Sequence, residues 1–298
     1  VQPSRLGKNA LVPPAPGPHG PASGPASLEA ACPVPGPHGP TARLLVAGDT
    51  HGNLRWLSQL AALASEQGCE GIIQLGDFGF WPDPKVLREC STVVLNERWL
   101  TEVADALARH GVWLRVIDGN HDFHPGVLAA HPPDESGIAV VRDGRLDWAT
   151  RGARWEWCGV RFGALGGAYS IDQMWREPGV TWWETETITD AERDHLGGGV
   201  LDVLLTHDAP QGVRWPEVDL GGPKLDPASR ANRQQVERAR QATRPAILLH
   251  GHYHLRYTTT MSDPETRIEA LAADIQSDGG SWGVLELPGL AFTDGDHL

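Results

Sequence analysis

Thiols are scarce in this chain: its 298 residues include four cysteines, at 32, 69, 90 and 158. They form no CxxC pair, and Cys32 falls in a stretch with little to fold, so a disulfide framework and a thiolate zinc site are both excluded. Long apolar runs are missing too, since none reaches the roughly 18 residues that a membrane-spanning helix needs. The opening VQPSRLGKNALVPPAPGPHG lacks the apolar core of a signal peptide. A cytoplasmic protein with reduced thiols and no membrane partner is expected. Positive charge is in short supply: 25 Lys and Arg face 38 Asp and Glu, a net charge of -13. Such a chain repels polyphosphate backbones, so extended nucleic-acid binding is not expected, although bound divalent cations would offset the charge locally.

Apolar residues make up 40% of the chain, enough for a sizeable core. Residues 1–41 stand apart. They hold 11 of the 24 prolines and repeat PGPHGP at 16–21 and 35–40, around His19 and His38. A segment so poor in large apolar residues cannot offset its chain entropy, and a disordered tail is expected. From residue 42 to 298 one domain is expected. RLLVAGD (43–49), GIIQLGD (71–77) and VWLRVIDGN (112–120) read as buried strands, separated by helical patterns over 53–66 and 91–109. That is β-α-β-α-β, the order of an α/β sheet. GIAVVRDGRLDW (137–148) and RWEWCGVRFGAL (154–165) read as hairpins. LDVLLTHDAP, PAILLHGHYH, HLRYTTTM, TRIEALAA and SWGVLELP supply further strands. The expected fold is therefore two sheets with helices outside, and Pro- and Gly-rich 212–227 reads as a long, functional loop.

The strand ends carry the chemistry. They read GDTHGN (48–53), GDFG (76–79), GNHD (119–122), THDAP (206–210) and HGHYH (250–254). Ligands of open α/β sheets bind at the carboxyl ends of strands, so these five ends pool Asp49, Asp77, Asn120 and several histidines at one rim. Imidazole nitrogen with carboxylate and amide oxygen suits Mn2+, Fe2+ or Zn2+. The candidates outnumber the ligands of a single zinc and fit two divalent ions about 3.5–4 Å apart.

Asp49-Thr50-His51, Gly76-Asp77, Gly119-Asn120-His121-Asp122, His207 and Gly251-His252-Tyr253-His254 resemble, in order and spacing, the calcineurin-like metallophosphoesterase family. The resemblance implies its fold, an α/β two-sheet β-sandwich flanked by helices in four layers. It implies that Asp49, His51 and His254 hold one ion, that Asn120, His207 and His252 hold the other, and that Asp77 bridges both. It implies direct attack of a metal-bridging hydroxide on the phosphorus of a small anionic phosphodiester or phosphomonoester. His121 would be the general acid or an electrophilic contact to phosphate. One position departs: where protein phosphatases of the family carry a second aspartate that orients the catalytic histidine, this chain has Phe80. The partner of His121 is left open, and protein phosphatase activity is disfavoured.

Other residues border this pattern. Arg230, Arg233, Arg240 and Arg244 fall on one face of a helix over 228–244, either solvated or guiding an anion. Trp175, Trp182 and Trp183 can stack a nucleobase or pin a loop. Tyr169 and His124 are candidate neighbours of the site. Asn53 suits a helix cap, and His250, ahead of Gly251, suits a supporting role in place of direct ligation. Three function classes stay open: a metal-dependent phosphoesterase, a catalytically silent scaffold on the same fold, and a nuclease. The natural substrate and oligomeric state are not legible.

Overall fold

The structure, a computed structural model, describes residues 41–85, 95–214, 227–274 and 279–295. The expected tail, with His19, His38 and Cys32, lies outside those residues. So do Cys90, the start of the helix expected at 91, and most of the loop expected at 212–227.

Strand β1 (Ala42–Ala47) leads into helix α1 (Leu54–Glu66), whose first turn is capped by Asn53, its side chain accepting from Trp56 N at 3.1 Å. After β2 (Gly71–Leu75), helix α2 (Glu97–His110) starts at an Asn96 cap and stops at left-handed Gly111, and β3 (Trp113–Ile117) follows. The three strands lie parallel in the order β1-β2-β3. A short α3 (His124–Ala130) precedes two hairpins, β4 (Ile138–Arg142) with β5 (Leu146–Ala149), and β6 (Arg154–Trp157) with β7 (Val160–Leu165). The second turns on Cys158-Gly159, both at positive φ, as a tight hairpin demands. The hairpins divide between the sheets. β4-β5 pairs onto β3 in the first, and β6-β7 onto β8 (Val203–Thr206) in the second.

Then come α4 (Asp190–Leu196), with a Thr189–Glu192 capping box before it, and α5 (Pro227–Thr243). Strands β9 (Ile247–His250), β10 (Tyr257–Met261), β11 (Thr266–Ala270), β12 (Trp282–Leu287) and β13 (Ala291–Asp294) complete the fold. The seven-stranded sheet runs β13-β12-β1-β2-β3-β5-β4 and the six-stranded sheet β10-β11-β9-β8-β7-β6.

Strand alternation builds three apolar layers. Leu44, Val46, Ile73 and Leu75 pack between the sheets against Phe162, Leu205 and Leu249. Leu45, Ala47 and Ile72 point the other way, onto Leu57, Leu60 and Val103 of α1 and α2. Leu204, Leu248 and Ile268 meet Val236 and Ala239 of α5 behind the second sheet. This is the expected two-sheet sandwich with helices outside. Cys69 and Cys158 are buried. Among the described residues no helix is long and apolar enough to cross a membrane.

The arginine face expected on α5 is corrected. Arg240 is buried, pairs with Glu237 at 2.8 Å and donates to Pro264 O and Thr266 Oγ1. Arg233 is also buried and donates to Pro210 O. These two guanidiniums stitch the helix to its neighbours, and of the four only Arg230 and Arg244 face solvent.

Candidate metal centre

β1, β2 and β3 are adjacent and parallel, and so are β8 and β9. The residues just past their carboxyl ends therefore collect at one rim, as the strand-end pattern requires. Asp77 Oδ2 lies 3.7 Å from His51 Nε2, 3.4 Å from His207 Nε2 and 3.9 Å from His121 Nε2. Asp49 Oδ2 is 3.1 Å from His254 Nε2, and Asn120 Oδ1 is 3.2 Å from His207 Nε2. The rings of His51 and His254 stand 5.0 Å apart on one side, and those of His207 and His252 5.1 Å apart on the other. All seven candidate ligands thus gather in two lobes around Asp77, and His121 stands beside them without belonging to either lobe. Asp49, His51 and His254 offer ligand atoms within 4.8 Å of one another, and so do Asp49, Asp77 and His207. Compactness alone would make Asp49 the shared carboxylate. Asp77 reaches both lobes as well, its Oδ2 facing His51 and His207, and each carboxylate gives its Oδ1 to a backbone N–H, that of His121 for Asp77 and that of His252 for Asp49.

The donor set fits divalent cations. Asp49 is fully buried, and among the described residues its Oδ2 meets only the ring nitrogen of His254, at 3.1 Å and out of hydrogen-bond alignment. A carboxylate oxygen left this way is costly unless a cation meets it. Strain concentrates here as well: His51, Asp77, His252 and His254 all sit at positive φ, between 44° and 70°. The neighbouring glycines allow the close approach. A Cβ on Gly119 would lie 2.1 Å from Asp77 Oδ1, and one on Gly251 would lie 2.2 Å from Asp49 Oδ1. Gly251→Ala is therefore expected to push Asp49 off position and weaken metal binding by about 10–100-fold. Metal content after dialysis checks this, and retention equal to the parent would contradict it.

Supporting groups hold three of the candidate ligands, His51, His207 and Asn120, in one orientation. Asp274 Oδ1 is 3.4 Å from His51 Nδ1, and Asn53 Nδ2 donates to Asp274 Oδ2 at 2.7 Å, so Asn53 both caps α1 and steadies this carboxylate. His207 Nδ1 donates to Leu75 O at 2.7 Å, which turns Nε2 toward Asp77. Asn120 Nδ2 donates to Ser170 Oγ, and Ser170 Oγ to Glu186 Oε2, which aims the amide oxygen at His207. His250 is fully buried and its Nε2 bonds the Tyr257 hydroxyl at 2.7 Å, in keeping with a supporting role.

The surroundings of His121 follow from two loops. Asp122 accepts from the backbone N–H groups of Phe78, Gly79, Phe80 and Gly119, tying two site loops together. It is spent on that task. The neighbour of the His121 ring is Arg176, whose Nη2 lies against both ring nitrogens, 2.8 Å from Nδ1, and 2.8 Å from Asp172 Oδ2. Burial, with the Arg176 charge alongside, lowers the His121 imidazole below its ordinary value, against the pull of Asp77.

The carboxylates set the other histidines. Burial opposes charge on His207, but Asp77 and Asp49 outweigh it and push the imidazole up to about 10. For His51 burial is likewise outweighed, by the bonds to Asp274 and Asp77, and it too rises to about 10. Burial prevails at His252, pushed down to about 4. Without metal, protons on His51 and His207 stabilise the fold fully below the ordinary 6.5, and that contribution is lost as pH rises toward about 10. A divalent ion must displace those protons. The melting temperature of chelator-treated protein should fall between about pH 7 and about pH 10, while the increment from added manganese grows. A flat increment across that range would contradict the assignment.

Not every expected neighbour reaches the site. The cleft, about 370 Å³, is lined by His51, Asp77, Asn120, His121, His252 and His254, with Asp172 and Tyr253 on its walls. His124 faces Trp148 and Glu192 instead, and Tyr169 lines a different hollow. Trp183 is buried against Phe123 but also lines a second hollow beside His121, and Trp175 is 79% exposed. Sequence reasoning missed Asp274, Ser170, Glu186 and Arg176. Asp274 lies just past β11, the parallel neighbour of β9, so the strand-end rule that found Asp49 also reaches it.

A family model described as calcineurin-like phosphoesterase matches residues 42–256. Among solved structures, a dimetal phosphatase from Danio rerio is similar in fold, with a TM-score of 0.51 and 12% identity over 82% of this chain and 91% of that one. TT1561 of Thermus thermophilus aligns over 86% of this chain and 99% of its own, with 13% identity and a TM-score of 0.49. No curated protein matches the sequence. The family match begins with the strand that carries Asp49 and closes just beyond His254, so it takes in every candidate ligand gathered at the rim: the chain belongs to the calcineurin-like phosphoesterase family.

Proposed function

We propose that this protein is a metal-dependent phosphoesterase that hydrolyses a small anionic phosphodiester or phosphomonoester at a two-ion centre. The observation that carries it is Asp77, a buried carboxylate with a histidine of each lobe within 4 Å of one oxygen. Asp49, His51 and His254 would hold one ion, and Asn120, His207 and His252 the other, with Asp77 shared. The nitrogen and oxygen donors suit Mn2+, Fe2+ or Zn2+. When bound, the two ions supply positive charge for the phosphoryl oxygens and activate water for direct attack at phosphorus.

The chain's own residues do the rest. Asp274 and Leu75 O fix the ring faces of His51 and His207. Ser170 and Glu186 fix the amide of Asn120. His121, on the cleft wall beside Asp77, would give a proton to the departing oxygen or contact the phosphate. Every ligand position and His121 are filled, which favours catalysis over a silent scaffold. The net charge of -13 favours a small substrate over an extended nucleic acid. Cytoplasmic residence is part of the same proposal.

The test is hydrolysis of bis-p-nitrophenyl phosphate and p-nitrophenyl phosphate with Mn2+, with and without chelator. Chelator-sensitive turnover of either supports the proposal. No turnover of both, with metal shown to be bound, overturns it for simple esters.

A further inference from the structure

His121 lines two hollows. One is the cleft of candidate metal ligands; the other, about 390 Å³, shares only His121 with it. The second differs in chemistry: Trp81, Trp183, Pro82, Pro84 and Val180 line it with Thr181, and Arg176 supplies a guanidinium at the border with His121. Its size suits a small-molecule moiety. Trp81 is 40% exposed, yet its indole is held at two points. Nε1 donates to His121 O at 3.1 Å, and the ring packs on Gly52, where an added Cβ would fall 2.8 Å from it. A large aromatic ring pinned beside a catalytic cleft presents a rigid stacking face at little entropic cost. Arg176 is itself anchored by Asp172, so a phosphate in the first cleft would meet a fixed cation on the side from which the second hollow opens.

Resting on the phosphoester proposal, we infer that the Trp81 hollow is a subsite for a planar aromatic group carried by the substrate, as in a mononucleotide-type phosphoester. Trp81 stacks on the ring, Val180 and the prolines exclude water from its edges, and Arg176 holds the phosphate beside His121. An aliphatic phosphoester fills the first cleft and leaves the second without a partner.

The experiment uses the manganese-loaded full chain and two non-hydrolysable probes, the phosphonate analogues of adenosine 5′-monophosphate and ribose 5-phosphate, in which a methylene replaces the ester oxygen. Calorimetry reads the ratio of their affinities. The adenosine probe should bind about tenfold more tightly, and the ratio should collapse toward unity in Trp81→Ala and in Val180→Asp. The second variant decides the matter if the first fails to fold, because Val180 is only half-buried and tolerates a polar side chain better than Trp81 tolerates truncation. Equal affinities in the parent, no binding of either probe, or a ratio unchanged in both variants would overturn the subsite. Chelator-sensitive hydrolysis of bis-p-nitrophenyl phosphate with equal probe affinities defeats the subsite alone. A preference that Val180→Asp removes, without any turnover, defeats the phosphoesterase alone.

Discussion

Asp77→Asn is expected to lower phosphoester hydrolysis by about a thousandfold or more, the scale on which an electrostatic group at the reacting centre acts. The substitution isolates charge from shape. Asp77 sits at φ 51°, and asparagine is among the few residues that adopt this conformation readily, so the turn after β2 should persist. The amide oxygen can still accept from His121 N, as Asp77 Oδ1 does at 2.8 Å. Only Oδ2 changes, becoming an NH2 group that aims hydrogens at His51 and His207 and cannot hold a cation. Metal content should fall together with activity, while the melting temperature of metal-free protein changes less than in an alanine variant. Retention of the parent's metal content and rate in Asp77→Asn would show that Asp77 is not the shared ligand.

His121→Ala separates the two roles open to this histidine. It touches the cleft but holds no position in the two lobes, so metal content should stay at the parental level. If His121 donates the proton, the loss depends on the leaving group. Esters of poorly acidic alcohols should slow by about 10²–10⁴-fold, while p-nitrophenyl esters, whose phenolate departs unaided, slow far less. The pH profile carries the same sign. Burial and Arg176 hold the imidazole below its ordinary value, so a proton-donating His121 makes the rate fall as pH rises through that lowered value. Its loss should remove that limb of the profile. A loss equal for both classes of ester would assign His121 to the phosphate oxygens instead, and an undiminished rate on alkyl esters would remove it from the chemistry.

The parts of the site legible in the sequence were those written at strand ends. Buried strands announce themselves as apolar runs, and the residues at the carboxyl end of each run must emerge at the same edge if the strands are parallel. Asp49, Asp77, Asn120, His207, His252 and His254 obey that rule, and Asn53 obeys the rule for helix caps. The supporting network was not legible for the opposite reason. Ser170, Arg176 and Glu186 lie between β7 and α4, where only short turns of helix interrupt irregular backbone, so no period says which way a side chain points. The arginines of α5 misled because a helical face was read as solvated. A guanidinium tolerates burial when a carboxylate and carbonyl oxygens accept its protons, as Glu237 and Pro264 do for Arg240. Phe80 left the partner of His121 open in the sequence, because Arg176, which borders that histidine, sits on a loop that only the folded chain brings near.

A catalytic centre built from two ions can be read directly by titration. Metal-stripped protein is given manganese in known ratio to chain, and the rate of bis-p-nitrophenyl phosphate hydrolysis is monitored against bound metal. The two-lobed geometry around Asp77 predicts that activity is lost on stripping and reaches its plateau only as the second ion per chain binds. A plateau at one ion per chain, or hydrolysis that survives stripping undiminished, would contradict it.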